Sequence, residues 1–335
     1  MLNSRKKKLL ILLITIFVVI VFVIGGVLIY SKSGKKNKNS SSIYQQESNI
    51  LDSSVTDSSV ADSSSQVESS ITDSSSQLDS SSLIDSSSIV ENKDDKAIMA
   101  YSNLSYFKQE NINRYIDYKR KNGKISYEQA IVYVNIGLDR SYYTNTHQAK
   151  DFSSITALVN KYSYLPSTYV PNDLVQISSQ NSTRQVYMRK EAAEAFENMS
   201  NDARAQGYII KAHSTYRSYA QQKSIYNSYV SQDGQAAADT YSARPGFSEH
   251  QTGLVADVVA SNSLNITDFD KYKENKYVLE NAHKFGFIVR YPVGKDKITG
   301  YTSEPWHLRY VGVETATKIM NLNITYDEYY AMFCS

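Results

Sequence analysis

Residues 248–257 read SEHQTGLVAD, a polar segment that runs directly into an apolar one. The apolar part continues to Ala260, which predicts a strand over 254–260. Asp257 interrupts this strand, and a carboxylate in an apolar strand costs free energy unless it is paired or bound to a cation. In an unbroken strand His250 and Asp257 would point to opposite faces, but Gly253 can supply a turn or bulge between them.

A second polar cluster, EPWH at residues 304–307, also contains a histidine. Zinc binds imidazole nitrogens and carboxylate oxygens, and a catalytic zinc site has three protein ligands plus a water. His250, Asp257 and His307 would supply such a set. The spacing by itself does not decide between a zinc site and histidines with structural roles.

Pro305 restricts the residue that precedes the predicted strand at 306–311. Proline cannot donate a backbone hydrogen bond, and it favours an extended conformation for the residue before it. We therefore expect Glu304 on the loop that enters this strand, where its carboxylate can reach the metal.

A third cluster, HSTYRS at residues 213–218, places Arg217 where a predicted strand meets a predicted helix. Gln222 follows on the first turns of that helix. An arginine guanidinium holds a carboxylate through two parallel hydrogen bonds. Arg217 is therefore a candidate for binding a substrate carboxylate, with a structural salt bridge as the alternative.

The pattern of elements predicts an α+β fold. The predicted helices are 104–122, 127–138, 190–206, 276–285 and a short one after Thr325, and the predicted strands are 208–216, 254–260, 287–291 and 306–311. Short strands interleaved with helices, without a regular strand–helix repeat, are not typical of a doubly wound sheet.

Three segments carry a resemblance to a known family: STYRSY at 214–219, ARPGFSEHQTG at 243–253 and EPWHLRY at 304–310. They resemble the signatures of the VanY-type D-alanyl-D-alanine carboxypeptidases, zinc peptidases whose core is shared with hedgehog signalling domains. The match is strong over residues 185–312 and weaker upstream, through 134–139 and 165–169. It implies a small antiparallel sheet flanked by helices. Val255, where relatives commonly carry a small residue or Leu, is a conservative departure.

The resemblance also implies a role for particular residues. It implies one zinc ion per chain held by His250, Asp257 and His307, Glu304 as the general base, Arg217 as the group that binds the substrate's terminal carboxylate, and Ser248 and Gln222 as residues lining the substrate site.

The implied activity is removal of the C-terminal D-Ala from peptidoglycan stem peptides by a zinc-activated water. Related activities stay open, because pocket residues rather than metal ligands decide which bond is cut. They are L,D-carboxypeptidase action on tetrapeptide stems and endopeptidase action between L-Ala and D-Glu. A different class, a non-catalytic wall-binding module, has no physical need for a buried Asp257.

The composition excludes several other classes of protein. The 335 residues are 41% hydrophobic and 21% charged, with a net charge of +2. After residue 95 the chain holds 27 basic and 23 acidic residues, a net charge of +4, which is too balanced for a nucleic-acid-binding protein. The single cysteine, Cys334, excludes an intramolecular disulfide and a Cys-rich zinc finger.

Residues 1–38 are predicted to form a cytoplasmic tail and a transmembrane signal-anchor. Residues 9–29 have no charge and are long enough for a helix that crosses a bilayer, about 30 Å. A cleavable signal peptide is the alternative, but it usually has a shorter apolar region and a small-residue cleavage site. Basic residues flank the run equally on both sides, so the orientation, with the domain outside a bacterial cell, follows from the implied substrate. The composition suggests a Gram-positive source.

Residues 39–96 are predicted to be a disordered linker rich in Ser and Asp. Residues 40–92 contain 22 serines and neither Gly nor Pro, and their isolated aliphatic side chains cannot bury enough surface to offset chain entropy. We interpret the linker as a tether into the cell wall, with a merely tolerated or phosphorylated linker as the alternative. Residues 97–335 are then the zinc carboxypeptidase domain, for which we expect a monomer.

Overall fold

The computed structural model describes residues 93–260 and 263–334. The predicted anchor at 9–29 and the predicted linker up to residue 92 lie outside the described residues. Within the described ranges, no helix is long and apolar enough to cross a membrane. The linker was predicted to extend to residue 96, which is wrong by four residues, because a helix that buries Ile98 begins at Lys93.

The helices and strands of the described residues are numbered here in chain order. The helices are α1 (Lys93–Met99), α2 (Ile112–Lys121), α3 (Tyr127–Ile136), α4 (Lys190–Ala205), α5 (Tyr219–Asp233), α6 (Gln235–Ala238), α7 (Lys273–Asn281), α8 (Asp296–Thr299), α9 (Val313–Leu322) and α10 (Tyr326–Phe333). The strands are β1 (His147–Gln148), β2 (Ser163–Tyr164), β3 (Leu174–Gln176), β4 (Tyr187–Arg189), β5 (Ile210–Ser214), β6 (Val255–Ala260), β7 (Phe287–Tyr291) and β8 (Glu304–Tyr310). Short 3₁₀ helices cover Gln109–Asn111, Glu249–Thr252, Ile266–Lys271 and Ala282–Phe285.

The described residues group into two compact units, 142–326 and 93–141 with 327–334. The prediction of one catalytic domain over residues 97–335 stays a prediction. In the smaller unit, α1, α2 and α3 share a buried core with the C-terminal helix. Ser126 and Gln129 form a reciprocal capping box that starts α3, and Gly137 ends it in the left-handed conformation.

The larger unit is built on a four-stranded antiparallel sheet with the order β5-β6-β8-β7. This sheet and the surrounding helices confirm the predicted α+β fold. On β6 the side chains alternate between two faces, and Ala256 and Val258 belong to the main hydrophobic core together with Phe196 of α4. Asp257 therefore lies on the opposite face of the sheet.

The register of the central strands brings site residues side by side. Asp257 of β6 lies opposite His307 of β8, and a bulge in β5 places Ser214 opposite Asp257 on the other side. Directly opposed residues in an antiparallel pair have Cβ atoms about 5 Å apart. Sheet pairing alone thus brings Asp257 and His307 together from positions 50 residues apart in the sequence.

Two further differences from the predicted boundaries have a clear physical reason. The helix predicted over 104–122 begins only at Ile112, because Lys108 is extended and its backbone N–H donates to the Tyr115 hydroxyl at 3.1 Å. Glu304, expected on a loop, is the first residue of β8 and lies opposite Tyr291. The register of β7 and β8 is irregular between the pair Val289 with Leu308 and the pair Tyr291 with Glu304. This irregularity accommodates Pro305, which has no backbone N–H to donate.

Candidate active site

The turn at Gly253 folds the SEHQTGLVAD stretch so that its histidine and its aspartate converge. Residues Glu249–Thr252 form a 3₁₀ turn, and Gly253 ends it in the left-handed conformation, with φ of 69°. A Cβ at this position would also lie 2.9 Å from the Leu174 side chain. The positive φ therefore favours glycine here, and a larger residue would also have to displace the Leu174 side chain; the turn that the sequence predicted is present.

Three side chains from these elements meet at one point. His250 Nε2 lies 3.2 Å from Asp257 Oδ2, and His307 Nδ1 lies 3.1 Å from Asp257 Oδ1. One ligand atom from each of the three residues can be chosen so that all lie within 4.8 Å of one another. All three side chains are buried.

The hydrogen-bond partners of the two histidines orient their rings toward this point. The His250 Nδ1 atom lies 2.5 Å from the Thr215 carbonyl oxygen, which can only accept, so Nδ1 carries the hydrogen and Nε2 keeps its lone pair. His307 turns Nδ1 toward Asp257, while its Nε2 lies 3.5 Å from Glu249 Oε2. Both rings thus direct one nitrogen toward the Asp257 carboxylate and the other toward an acceptor.

The electrostatics of the cluster favour a cation. Burial opposes a charge on His307, yet its contacts with Asp257 and Glu249 raise its pKa to about 9. The histidines in turn hold the pKa of Asp257 well below its usual range against the effect of burial. Burial and the Arg217 charge lower the pKa of His250. Positive charge is therefore stabilised beside the Asp257 carboxylate, where a metal ion would also be stabilised.

These donors fit zinc. Asp257 Oδ1 is fully buried and forms no hydrogen bond of good geometry among the described residues; its near neighbour, His307 Nδ1 at 3.1 Å, is itself a predicted metal donor, so both atoms are available to a cation. Two imidazole nitrogens and one carboxylate oxygen are a donor set typical of catalytic zinc, which keeps a further position for water. Zinc is thus the cofactor that this site is built to hold.

Glu304 lies beside the three donors. Its Oε2 is 3.6 Å from His307 Nδ1, the ring nitrogen that faces Asp257. Its side chain is largely buried, but it lines the cleft above the cluster. The carboxylate therefore lies next to the three predicted metal donors, on the cleft side.

Arg217 is fixed in a defined orientation on the same cleft. Its Nη1 donates to Gln222 Oε1 at 2.8 Å and its Nη2 donates to Ser214 Oγ at 3.1 Å, while its backbone N–H donates to the His250 carbonyl at 3.2 Å. Gln222 is itself held by donating from Nε2 to the Ala243 carbonyl at 2.7 Å. In this structure Gln222 thus orients Arg217, in addition to lining the cleft.

Ser248 is the residue before the 3₁₀ turn that carries His250. Its Oγ accepts a hydrogen bond from the His250 backbone N–H at 3.4 Å. It also lines the cleft, so it can contribute both to the shape of the turn and to the substrate site.

All seven predicted site residues line one cleft that contains about 440 Å³ of space, part of it open to solvent. Aromatic side chains complete the walls, namely those of Tyr241, Tyr291, Tyr301 and Trp306. The sequence predicted these positions as one site from motifs that span 217–307, and the fold brings them together. Their individual roles stay predictions.

Glu249 is the residue that sequence reasoning missed. Its carboxylate is buried and accepts hydrogen bonds from Arg290 and Arg309, and its other oxygen faces His307. The available signal was its place beside His250 in the SEHQTG motif, because a charged residue next to a ligand in a buried segment needs a partner.

The remaining described histidines lie outside this site. His213 Nε2 accepts a hydrogen bond from Arg184, and its Nδ1 is hydrogen-bonded to the Thr183 hydroxyl. Burial lowers the pKa of His213 to about 4. His147 and His283 do not line the cleft. This agrees with their omission from the predicted metal set.

Comparisons with known proteins give a consistent result. The sequence profile of the VanY family, described as D-alanyl-D-alanine carboxypeptidase, matches residues 185–313. The putative carboxypeptidase YodJ of Bacillus subtilis is 44% identical over 183 residues, covering 53% of this chain and 67% of YodJ. The bifunctional D-Ala-D-Ala dipeptidase and carboxypeptidase VanXYC of Enterococcus gallinarum is 32% identical over 179 residues, covering 52% of this chain and 92% of VanXYC.

Solved structures extend the similarity to the fold. The structure of the LdcB LD-carboxypeptidase, reported to reveal the molecular basis of peptidoglycan recognition, is 39% identical and superposes with a TM-score of 0.52. The match covers 56% of this chain and 91% of that one.

Proposed function

Because this chain belongs to the VanY family of D-alanyl-D-alanine carboxypeptidases, we propose that it is a zinc-dependent enzyme that removes the C-terminal D-Ala from peptidoglycan stem peptides. The observation that carries this proposal is the convergence of His250, Asp257 and His307 within 4.8 Å at the base of a cleft that also contains Glu304 and Arg217. Such a hydrolysis requires metal ligands, a general base and a group that binds the substrate carboxylate, and the cleft contains residues suited to each role.

His250, Asp257 and His307 are the residues that would hold the zinc. When bound, zinc supplies Lewis acidity, which polarises the scissile carbonyl and makes a water molecule a better nucleophile. The chain's own contribution is to direct His250 Nε2 and one Asp257 oxygen toward each other across 3.2 Å inside a buried cluster.

Glu304 acts as the general base and then as the general acid. It accepts a proton from the attacking water as the new C–O bond forms, and it delivers that proton to the leaving amine as the C–N bond breaks. Its position 3.6 Å from His307 Nδ1 supports this role, because proton transfer needs the base within hydrogen-bond reach of the reacting atoms.

Arg217 binds the terminal carboxylate of the substrate and so makes the enzyme an exopeptidase, since only a chain end offers a carboxylate there. The hydrogen bonds from Arg217 to Gln222 and Ser214 support this role, because a guanidinium held in advance loses less entropy on binding.

Action on tetrapeptide stems is a second candidate. It is favoured by the similarity to the LdcB LD-carboxypeptidase, which is 39% identical to this chain. The two activities would use the same ligands and the same base and would differ in the residue next to the scissile bond.

The test is to incubate the zinc-loaded chain separately with pentapeptide and tetrapeptide muropeptides and to identify the products by mass spectrometry. Loss of one alanine from the pentapeptide alone supports the D,D-carboxypeptidase. Trimming of the tetrapeptide alone transfers the assignment to L,D-specificity. No terminal trimming of either, with zinc bound, overturns the proposal and leaves endopeptidase action or wall binding as the alternatives.

We also propose that the domain lies outside the cell membrane, held by residues 9–29 and tethered by the Ser/Asp-rich segment. This proposal is supported by the sequence and by the extracellular location of the substrate. A tether of about 55 residues could reach up to about 175 Å when fully extended. A protease-accessibility assay on intact cells should digest the domain, and a domain left uncut would exclude this topology.

A further inference from the structure

We propose that Glu249 is a positioning residue, one that holds the His307 ring so that its Nδ1 atom faces the metal. The inference rests on the proposed zinc function and assigns a residue to a task that the three family signatures leave undefined. Glu249 does not contact the reacting atoms, and it would act only through His307.

The two oxygens of the Glu249 carboxylate have different surroundings. Oε1 accepts hydrogen bonds from Arg290 Nε at 2.8 Å and from Arg309 Nη1 at 2.9 Å. Oε2 lies 3.5 Å from His307 Nε2, and neither of these two buried atoms has another hydrogen-bond partner among the described residues. Among the residues that the structure describes, the two atoms thus face each other without a competing hydrogen bond.

This division argues against a purely structural role as a counter-ion. A carboxylate that serves only to neutralise guanidinium groups tends to pair through both oxygens. Here one oxygen receives both arginines, and the second is left facing the imidazole. An acceptor at that place favours the ring form with hydrogen on Nε2, which leaves the Nδ1 lone pair directed toward Asp257.

The two arginines keep the carboxylate in place. Arg309 also donates from Nη2 to the carbonyls of Ile155 and Ala157, at 3.0 and 2.8 Å, and from Nε to the Tyr310 carbonyl at 3.0 Å. Both guanidiniums lie against the Tyr326 ring, at 5.6 and 5.4 Å from its centroid. Glu249 is thus held by two arginines that bind the oxygen facing away from His307, as expected for a residue that orients a metal ligand.

The test compares zinc affinity and thermal stability in the full chain in detergent. Glu249→Gln should weaken zinc binding about 10- to 100-fold in competition with a chromogenic chelator, because the amide can donate to His307 and favours the wrong ring form. Glu274→Gln is the matched control, since Glu274 is also buried and accepts a hydrogen bond, from the Ile209 backbone N–H at 3.1 Å, but does not line the cleft. It should lower the melting temperature while changing zinc affinity by less than about threefold.

Equal zinc affinity in wild type and Glu249→Gln would overturn the inference while leaving the proposed function intact. A wild type that binds no zinc would overturn both. If Glu249→Gln does not fold, the wild type decides: in ¹⁵N-histidine spectra of the zinc-loaded chain, His307 should carry hydrogen on Nε2. The His307 signal is identified by its loss in His307→Asn, and hydrogen on Nδ1 instead would refute the role of Glu249.

Discussion

At the scale of single residues, Glu304 separates metal binding from catalysis. It lies beside His307 but is not one of the three converging donors. Glu304→Gln should therefore keep zinc and lower the rate of hydrolysis by about 10²- to 10⁴-fold, the usual range for a general base. Zinc content by elemental analysis and release of alanine together check this. The matched control, Glu314→Gln on the exposed surface of α9, should keep full activity; full activity in Glu304→Gln as well would remove the base assignment.

A second prediction at this scale concerns Arg217, whose role can be tested by changing the C-terminus of the substrate. Arg217→Lys keeps the charge but loses the two-pronged hydrogen bond, so kcat/KM on a peptide with a free terminal carboxylate should fall about 10- to 100-fold. A peptide with an amidated C-terminus should be a poor substrate for wild type and should lose little more in the variant. Equal losses on both peptides would show that Arg217 acts on something other than the terminal carboxylate.

The metal donors could be predicted from the sequence, but the residues that hold the site's side chains in position could not. His250, Asp257 and His307 lie in motifs whose residue types and order are visible in the sequence. Glu249, by contrast, takes its role from Arg290 and Arg309, which are 41 and 60 residues away. Arg309 lies in the EPWHLRY segment, but nothing in the sequence pairs either arginine with Glu249. Gln222 was predicted as a substrate contact, while its hydrogen bond to Arg217 depends on how β5 and α5 meet.

At the scale of elements, glycines at helix ends fix where the chain turns toward the sheet. Gly286 and Gly207 both have positive φ, of 82° and 81°, but only at Gly286 would a Cβ lie 2.6 Å from the Tyr310 ring. Gly207→Ala should cost about 1–2 kcal/mol for the backbone conformation alone. Gly286→Ala should cost about 1–3 kcal/mol more, because the alanine also overpacks the core.

Thermal unfolding of the zinc-loaded variants measures this difference. A loss of 1 kcal/mol corresponds to a fall of about 2–4 °C in melting temperature for a domain of this size. Equal melting temperatures for the two variants would mean that Tyr310 moves aside freely and that the contact at Gly286 does not constrain β8.

Elements with a local signal were predicted best. The helix predicted after Arg217 is present as α5, and it begins with a capping box of Ser218 and Gln221, whose two partners lie within one turn. The start of β8 was missed because it depends on pairing between Glu304 and Tyr291, and on an irregular register beside it, which no local pattern reveals.

At the scale of the whole molecule, zinc should stabilise the fold as well as supply chemistry. The three donors come from the 3₁₀ turn Glu249–Thr252 and from β6 and β8, so the ion would add a direct link among these three segments. A ligand at 100 times its Kd adds about 2.7 kcal/mol to the free energy of unfolding. Removing zinc with EDTA should therefore lower the melting temperature by roughly 5–11 °C.

The control for this prediction is a chain that has lost a donor. In His307→Ala, EDTA should leave the melting temperature unchanged. An EDTA effect of the same size in His307→Ala would place the stabilising metal elsewhere in the molecule.

The most direct test of the account is the metal dependence of a single cleavage. The zinc-depleted full chain is mixed with pentapeptide muropeptide, and products are followed by mass spectrometry before and after adding one equivalent of zinc. We predict no product without zinc and loss of one C-terminal alanine once it is added. Cleavage that persists in EDTA would contradict the assignment of His250, Asp257 and His307 as the catalytic metal site. An intact pentapeptide in the presence of bound zinc would contradict removal of its terminal D-Ala.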